Sequence, residues 1–225
     1  NLRDQGLKRP TDIQFRAIPP ILKGEDVLAI AQTGTGKTAA FAIPVLHLLH
    51  DRKRGAKGIR CVVMVPTREL AVQITGTFER IGQGTSVKVL CVFGGVEQGP
   101  QIARLQEGID ILVTTPGRMF DLASQGHIVL DQVEILVLDE ADRMLDPSFI
   151  KDIRDVTKRL PRQRQTLFFS ATINENIKKL AYSLVRNAIR IQVSPQDVVS
   201  KNVHHSVAFI EMDDKRFFLT RVVEE

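Results

Sequence analysis

Two short stretches carry residue types that could do chemistry together. The first is Ala31-Gln32-Thr33-Gly34-Thr35-Gly36-Lys37-Thr38. Glycines let a backbone curl tightly enough for several N–H groups to converge on phosphate oxygens. Lys37 would add a full positive charge at the β and γ positions of a nucleotide, and the Thr38 hydroxyl is a ligand type for Mg2+. The usual pattern opens with glycine, and here Ala31 stands in that place. The second stretch is Asp139-Glu140-Ala141-Asp142, directly after the apolar run 135–138. Two carboxylates at the end of an apolar strand suit a Mg2+-dependent nucleotide hydrolase. Asp139 would hold the ion, directly or through water, and Glu140 would orient and polarise the attacking water. Alone, the acidic run could be an ordinary helix N-terminus, where Asp and Glu are favoured. Paired with a phosphate loop it favours hydrolysis, with Lys37, Asp139 and Glu140 as the catalytic groups.

These residues need a frame that presents them side by side. Short β-branched runs recur along the chain, each followed by a stretch with helical spacing. Runs at 27–30, 61–65, 87–93, 111–114, 135–138 and 167–169 precede helical patterns near 37–50, 68–81, 96–107, 116–124, 150–160 and 175–182, and 188–193 closes the series. Continuous apolar strands alternating with helices predict an α/β fold, a mainly parallel sheet with helices on both faces. In such sheets ligands bind at the carboxyl ends of the strands, where both stretches fall. Residues 1–193 read as one domain. The polar stretch 194–203 reads as a linker. Residues 204–210 as a strand and 215–223 as a helix make one βα unit, too little for a core of its own, and read as the start of a second domain. Asn1 and the closing Arg221-Val222-Val223-Glu224-Glu225 look like cut points.

Composition sets the bounds. The 225 residues are 43% hydrophobic and 25% charged, which supports a sizeable core and argues against disorder. A net charge of +5 permits a polyanionic partner without requiring one. Cys61 and Cys91 sit in apolar runs and read as reduced core thiols of a cytoplasmic protein. His47, His50, His127, His204 and His205 lack ligand-like spacing. No apolar run approaches the ~18 residues that a bilayer-spanning helix needs, so no membrane partner is expected.

The phosphate loop and Asp139–Asp142 together resemble the DEAD-box ATP-dependent RNA helicases, and other motifs agree in order and spacing. Gly6, Lys8, Pro10-Thr11 and Ile13-Gln14 look like the family's Q motif. Pro66-Thr67-Arg68-Glu69-Leu70-Ala71, Gly94-Gly95 and Thr115-Pro116-Gly117-Arg118 look like its RNA-binding motifs, and Ser170-Ala171-Thr172 looks like its coupling motif. The run Arg143-Met144-Leu145-Asp146 looks most like the bacterial RhlE-type branch. The resemblance implies the N-terminal RecA-like P-loop NTPase domain of a helicase. Its cofactors would be ATP and Mg2+. Nucleotide would be held by Lys8, Thr11, Gln14, Thr33, Gly34, Thr35, Gly36, Lys37 and Thr38, and Mg2+ by Thr38 and Asp139. RNA, single-stranded or duplex, would be held by Pro66, Thr67, Arg68, Gly94, Gly95, Thr115, Gly117 and Arg118. Asp142, Ser170 and Thr172 would couple hydrolysis to unwinding. The second RecA-like domain would supply transition-state arginines, so the 225 residues alone are expected to show little or no ATPase activity, even with RNA present.

Physical readings stand beside several of these roles. The Gln14 amide offers one donor and one acceptor. That pair matches adenine N6–H and N7, whereas guanine shows two acceptors there. Outside the family pattern Gln14 would read as a surface residue of a helix cap. The aromatic that the family stacks on adenine would lie before Asn1. Thr67 and Thr115 hydroxyls, glycine N–H groups and helix N-termini suit phosphate oxygens and carry no base identity, so RNA recognition should be sequence-tolerant. Arg118 either touches RNA or braces the fold, and Ser170-Ala171-Thr172 is also a good helix cap. A DNA motor on the same core and a non-hydrolysing RNA clamp are the competing functions. Asp146-Pro147-Ser148-Phe149 departs from the family, which more often has Gly before Phe, and is expected to alter the helix that follows.

Overall fold

The computed structural model describes residues 2–3, 5–51, 58–193 and 206–224. The strands are β1 (Val27–Ile30), β2 (Cys61–Met64), β3 (Val89–Val92), β4 (Ile111–Thr114), β5 (Ile135–Leu138), β6 (Gln165–Ser170) and β7 (Ile189–Gln192). They form one parallel sheet in the order β3-β4-β2-β5-β6-β1-β7. Interleaved with them are α1 (Asp12–Leu22), α2 (Lys37–Asp51), α3 (Arg68–Ile81), α4 (Gly99–Gln106), α5 (Pro116–Ser124), α6 (Pro147–Arg159) and α7 (Glu175–Leu184), with a 3-10 turn at Ala141–Met144.

The central strands are buried on both faces, which is why they read as unbroken apolar runs rather than alternating ones. Successive side chains still point to opposite sides. Val27, Val63, Val113, Val137 and Phe169 face a core shared with Ile13, Phe41, Ile74 and Phe78 of α1, α2 and α3. Leu28, Val62, Leu112, Leu136 and Phe168 face a second core with Met119, Ile153, Val156, Ile177 and Leu180 of α5, α6 and α7. Phe41 lies between Phe78 and Phe169, with ring centroids 6.0 and 5.3 Å away. Every strand therefore runs the same way, and every carboxyl end opens onto one edge.

Two polar residues fix the opposite edge. Asp26 is buried just before β1. Its carboxylate accepts the N–H of Thr166 at 2.7 Å and of Arg186 at 2.6 Å. Gln165 donates to the carbonyls of Ile21 at 2.9 Å and Glu25 at 2.7 Å. Together they lock the register of β1 against β6, and so set where the loops after those strands stand.

The ends of some elements differ from expectation. α6 begins at Pro147, not near residue 150, because proline is well suited to the first helical turn, where its missing N–H is not needed. The helix therefore includes Pro147 in its first turn. α4 begins three residues later than the spacing suggests, since 93–98 form a turn. The chain divides into two compact units, Asn1–Ser194 and Pro195–Glu225. In the second, the strand expected over 204–210 is not formed at 206–210, and 204–205 lie outside the described residues, as does the expected linker 194–203. A lone apolar segment has no ladder to join. The helix expected there does form, as α8 (Lys215–Glu224), with all its described side chains exposed.

Removing the Asp26 carboxylate leaves one buried and one half-buried N–H group without acceptors. Asp26→Ala should lower unfolding free energy by about 3 kcal/mol, read as a reduced urea midpoint with an unchanged slope.

Candidate functional site

Six loops open on the carboxyl edge of the sheet. Because of the strand order, three of them are neighbours at one end: the phosphate loop after β1, Ser170–Thr172 after β6, and Asp139–Asp142 after β5. The loops after β2, β4 and β3 continue along the same edge. These are Pro66–Arg68, Thr115–Arg118 and Gly94–Gly95.

The phosphate loop turns through Gly34 and Gly36, with φ of +80° and +92°. Side chains rarely adopt such angles, and at Gly36 a Cβ would also come 2.5 Å from Gln14 Nε2. Ala31 is different. It is buried at the end of β1 and donates its N–H to Ser170 O at 3.0 Å. Among the described residues only Glu140 and Asn187 are non-glycines with positive φ, so position 31 does not need glycine. The Thr35 hydroxyl donates to Gln32 O at 2.7 Å. Thr33 and Gly34 are exposed at the rim, and Thr38 is half-buried.

Gln14 is buried, not a surface residue. Its carbonyl accepts the Thr11 N–H at 3.0 Å and its amide donates to Gly36 O at 3.2 Å. It thus caps α1 and clamps the phosphate loop. One amide hydrogen and one lone pair remain for a base. Lys8 is exposed ahead of α1.

Lys37 opens α2 and is only 6% exposed, and its ammonium has no hydrogen-bond partner. A buried, unpaired charge is strongly unfavourable. Asp139 is buried close by, at the end of β5. Burial pushes its carboxyl up to about 6, against the pull of Lys37 and of the Glu140 N–H, while the charges of Glu140 and Asp142 push further upward. That N–H donates to Asp139 Oδ1 at 2.9 Å. A Mg2+–polyphosphate fits this donor set, since its anionic oxygens would pair Lys37 and its cation would favour the Asp139 carboxylate. Among the described residues no three His, Cys, Asp or Glu side chains group closely enough to hold a metal alone. A Mg2+ near Thr38 and Asp139 would therefore draw other ligands from phosphate and water.

Glu140 adopts a left-handed backbone, φ 51° and ψ 44°. This conformation costs a non-glycine residue ~1–3 kcal/mol and recurs at functional sites. It turns the chain sharply out of β5, and Arg143 Nη1 holds the Glu140 carboxylate at 2.8 Å. Asp142 Oδ2 accepts from Ala171 N at 3.2 Å, Thr172 N at 2.9 Å and Thr172 Oγ1 at 3.0 Å, and Ser170 Oγ donates to Thr172 O at 2.8 Å. Ser170–Thr172 is thus a bridge to Asp142 rather than a helix cap. The cap of α7 is Asn174, which accepts from Ile177 N at 2.9 Å.

On the other half of the edge, Thr67 caps α3 and accepts from Leu70 N at 3.3 Å, and Thr115 precedes α5. Pro66 is buried, Gly117 half-buried, and Arg68, Gly94 and Gly95 exposed. Gly95 has φ +79°. Arg118 Nη2 donates to Val96 O at 2.9 Å, so it braces the turn after Gly95. Two residues escape a reading of the sequence. Gln101 accepts from Phe93 N at 3.0 Å and donates to Phe93 O at 3.3 Å, fixing the strand end before Gly94. Nothing in the sequence shows that α4 folds back far enough for this. Arg143 was legible in principle as an i, i+3 partner of Glu140.

Comparison with known proteins gives the family of the chain. The family described as DEAD/DEAH box helicase matches residues 11–180. The chain is 40% identical to an ATP-dependent RNA helicase RhlB of Serratia proteamaculans over 230 residues, covering all of this chain and 54% of that protein. It is 39% identical over 219 residues to an ATP-dependent RNA helicase-like protein of Nicotiana sylvestris, covering 96% of this chain and 36% of the other. A crystal structure of a hypothetical ATP-dependent RNA helicase from Sulfolobus tokodaii superimposes with a TM-score of 0.77 at 40% identity, covering 85% of this chain and 55% of that one. The chain spans about half the length of the RhlB relatives, and these bacterial relatives are named RhlB rather than RhlE.

The raised Asp139 carboxyl has a direct consequence for stability. An unfolded aspartate releases its proton near 3.8, but the folded one keeps it to about 6. The folded state therefore binds more protons across that window, and stability conferred below it is lost as pH rises through it, on the order of 3 kcal/mol. Urea unfolding of the nucleotide-free chain should show this decline. Asp139→Asn should lack it and be the more stable protein at neutral pH. A variant less stable than the parent at neutral pH would contradict the burial argument.

Proposed function

The chain belongs to the DEAD/DEAH box helicase family, and from that premise we propose that it is the N-terminal, ATP- and RNA-binding RecA-like domain of an RNA helicase that couples ATP hydrolysis to local unwinding or remodelling. The observation that carries this reading is the buried, unpartnered Lys37 ammonium beside a protonation-prone Asp139. Each is unfavourable alone, and a Mg2+–nucleotide relieves both.

In this reading Lys37 and the loop N–H groups of Thr33–Thr38 bind the β- and γ-phosphates. Bound ATP–Mg2+ supplies a polarised γ-phosphorus and a cation that neutralises developing charge. Thr38 and Asp139 would hold the ion. Glu140, whose carboxylate Arg143 holds at 2.8 Å, would orient the attacking water. Thr11 and Gln14 sit where the base would lie, with Gln14 giving its free donor and acceptor to adenine, and exposed Lys8 adds charge at the rim. Because Gln14 also clamps Gly36, base identity and loop shape share one side chain. Asp142 and Ser170–Thr172 pass the state of the site on, since Asp142 adjoins Glu140 and is bonded to Thr172. Pro66, Thr67, Arg68, Gly94, Gly95, Thr115, Gly117 and Arg118 form the RNA face. Arg118 does so by bracing the turn; Thr67 and Thr115 offer hydroxyls, the glycines backbone N–H groups and Arg68 charge to phosphates without reading bases, and buried Pro66 shapes the loop. In this reading residues 204–225 are the start of a second RecA-like domain, which brings arginines. Such residues are worth ~10³–10⁵ in rate in related hydrolases, so these 225 residues alone turn over ATP slowly. A cytoplasmic location goes with this reading, supported by free thiols at Cys61 and Cys91.

Titration calorimetry with Mg2+–ATP and Mg2+–GTP tests the site. ATP should bind more tightly, and Gln14→Ala should erase that preference. Lys37→Met keeps the volume and removes the charge. It should abolish nucleotide binding while raising the stability of the nucleotide-free chain. A Lys37→Met protein that binds ATP normally, or that is destabilised, would show that the ammonium serves the fold instead.

A further inference from the structure

Beside the edge strand β3, the flanks of α3 and α4 leave a cavity of about 350 Å3 that no part of the nucleotide site uses. That volume falls within the ~300–1,000 Å3 typical of small-ligand sites. Leu90, Phe93, Val96 and Pro100 give it an apolar wall, with Arg68 and Arg104 on its flanks. The Arg68 guanidinium lies over the Phe93 ring, 4.9 Å from its centroid. The pair is rigidly based. Gln101 holds the Phe93 backbone through both its N–H and its carbonyl, and Arg118 holds the carbonyl of Val96. Glu97 lies at the rim and offers an acceptor.

The cavity is continuous with the face assigned to RNA. Phe93 immediately precedes Gly94 and Gly95, and Arg68 is the first residue of α3, after the cap Thr67. A strand held by its phosphates at Thr67, Gly94 and Gly95 would pass beside the cavity, because those residues adjoin Arg68 and Phe93 in the chain. Two arginines match the charge of such a strand. An aromatic ring topped by a planar guanidinium is the surface on which unstacked bases settle.

We propose that this cavity takes one nucleobase of the bound RNA, turned out of the strand and stacked on the Arg68–Phe93 pair. The proposal rests on the RNA-binding reading of the edge. It is consistent with sequence-tolerant binding, because every base has a π-face, and Glu97 favours bases with an exocyclic amino group only at the margin. A base held here fixes the register of the strand and keeps one nucleotide unavailable for re-pairing.

The test is an abasic scan. Short oligoribonucleotides, each lacking one base in turn but keeping every phosphate, are bound to the 225-residue chain at low salt. Loss of the base at one position should weaken binding about fivefold or more, with little effect elsewhere. Phe93→Leu and Phe93→Met each lose the ring and leave Arg68 in place. Both should bind the abasic RNA as the parent does and show no penalty at that position. A flat scan with intact RNA bound normally overturns the base site and leaves the RNA face standing. So does a penalty that persists in both variants. Failure of intact RNA to bind overturns the RNA face and the base site together.

Discussion

The structure turns on one unfavourable arrangement, a lysine ammonium buried without an acceptor next to a carboxylate buried at a strand end. Neither Lys37 nor Asp139 contributes to stability where it stands. The Lys37 ammonium lacks a hydrogen-bond partner, and burial raises the Asp139 carboxyl to about 6. The rest of the domain supplies the stability that makes this arrangement tolerable. Two apolar layers grip the sheet, and Phe41, on the helix that Lys37 opens, is anchored between Phe78 and Phe169. A site built this way is short of exactly one kind of partner, an anion that brings its own cation.

Around that pair the backbone is strained or crowded where it must stay in place. Glu140 takes a left-handed conformation, and Gly36 has no room for a Cβ because Gln14 presses on it. These contacts link neighbouring loops. Gln14 joins the entry helix to the phosphate loop, Ala31 joins that loop to Ser170, and Thr172 joins Ser170 to Asp142. A shift at the phosphate loop is thereby felt at the acidic turn through packed and hydrogen-bonded neighbours.

Much of this was legible in the sequence. The alternation of apolar runs and helical spacing predicts the parallel sheet, and the glycine, lysine and carboxylate types predict phosphate and Mg2+ chemistry, because each depends on local geometry and intrinsic charge. Ranges slipped where local signals compete. Pro147 starts a helix earlier than its apolar periodicity suggests, and 206–210, although apolar, forms no strand because strand formation needs a partner that spacing does not reveal.

Only the fold decided the order of the loops. Along the chain the motifs run phosphate loop, Pro66–Arg68, Gly94–Gly95, Thr115–Arg118, Asp139–Asp142, Ser170–Thr172. Across the sheet they run Gly94–Gly95, Thr115–Arg118, Pro66–Arg68, Asp139–Asp142, Ser170–Thr172, phosphate loop. That reordering gathers the phosphate loop, Asp139–Asp142 and Ser170–Thr172 on one half of the edge and the three remaining loops on the other. The fold also decided that Gln14 is clamped, that Arg118 braces a turn, and that Gln101 locks Phe93. The sequence by itself determined which chemistry was present, since residue type and local turn geometry are encoded within a few positions. Which groups meet was left to long-range strand pairing and to burial, and neither can be read from neighbours along the chain.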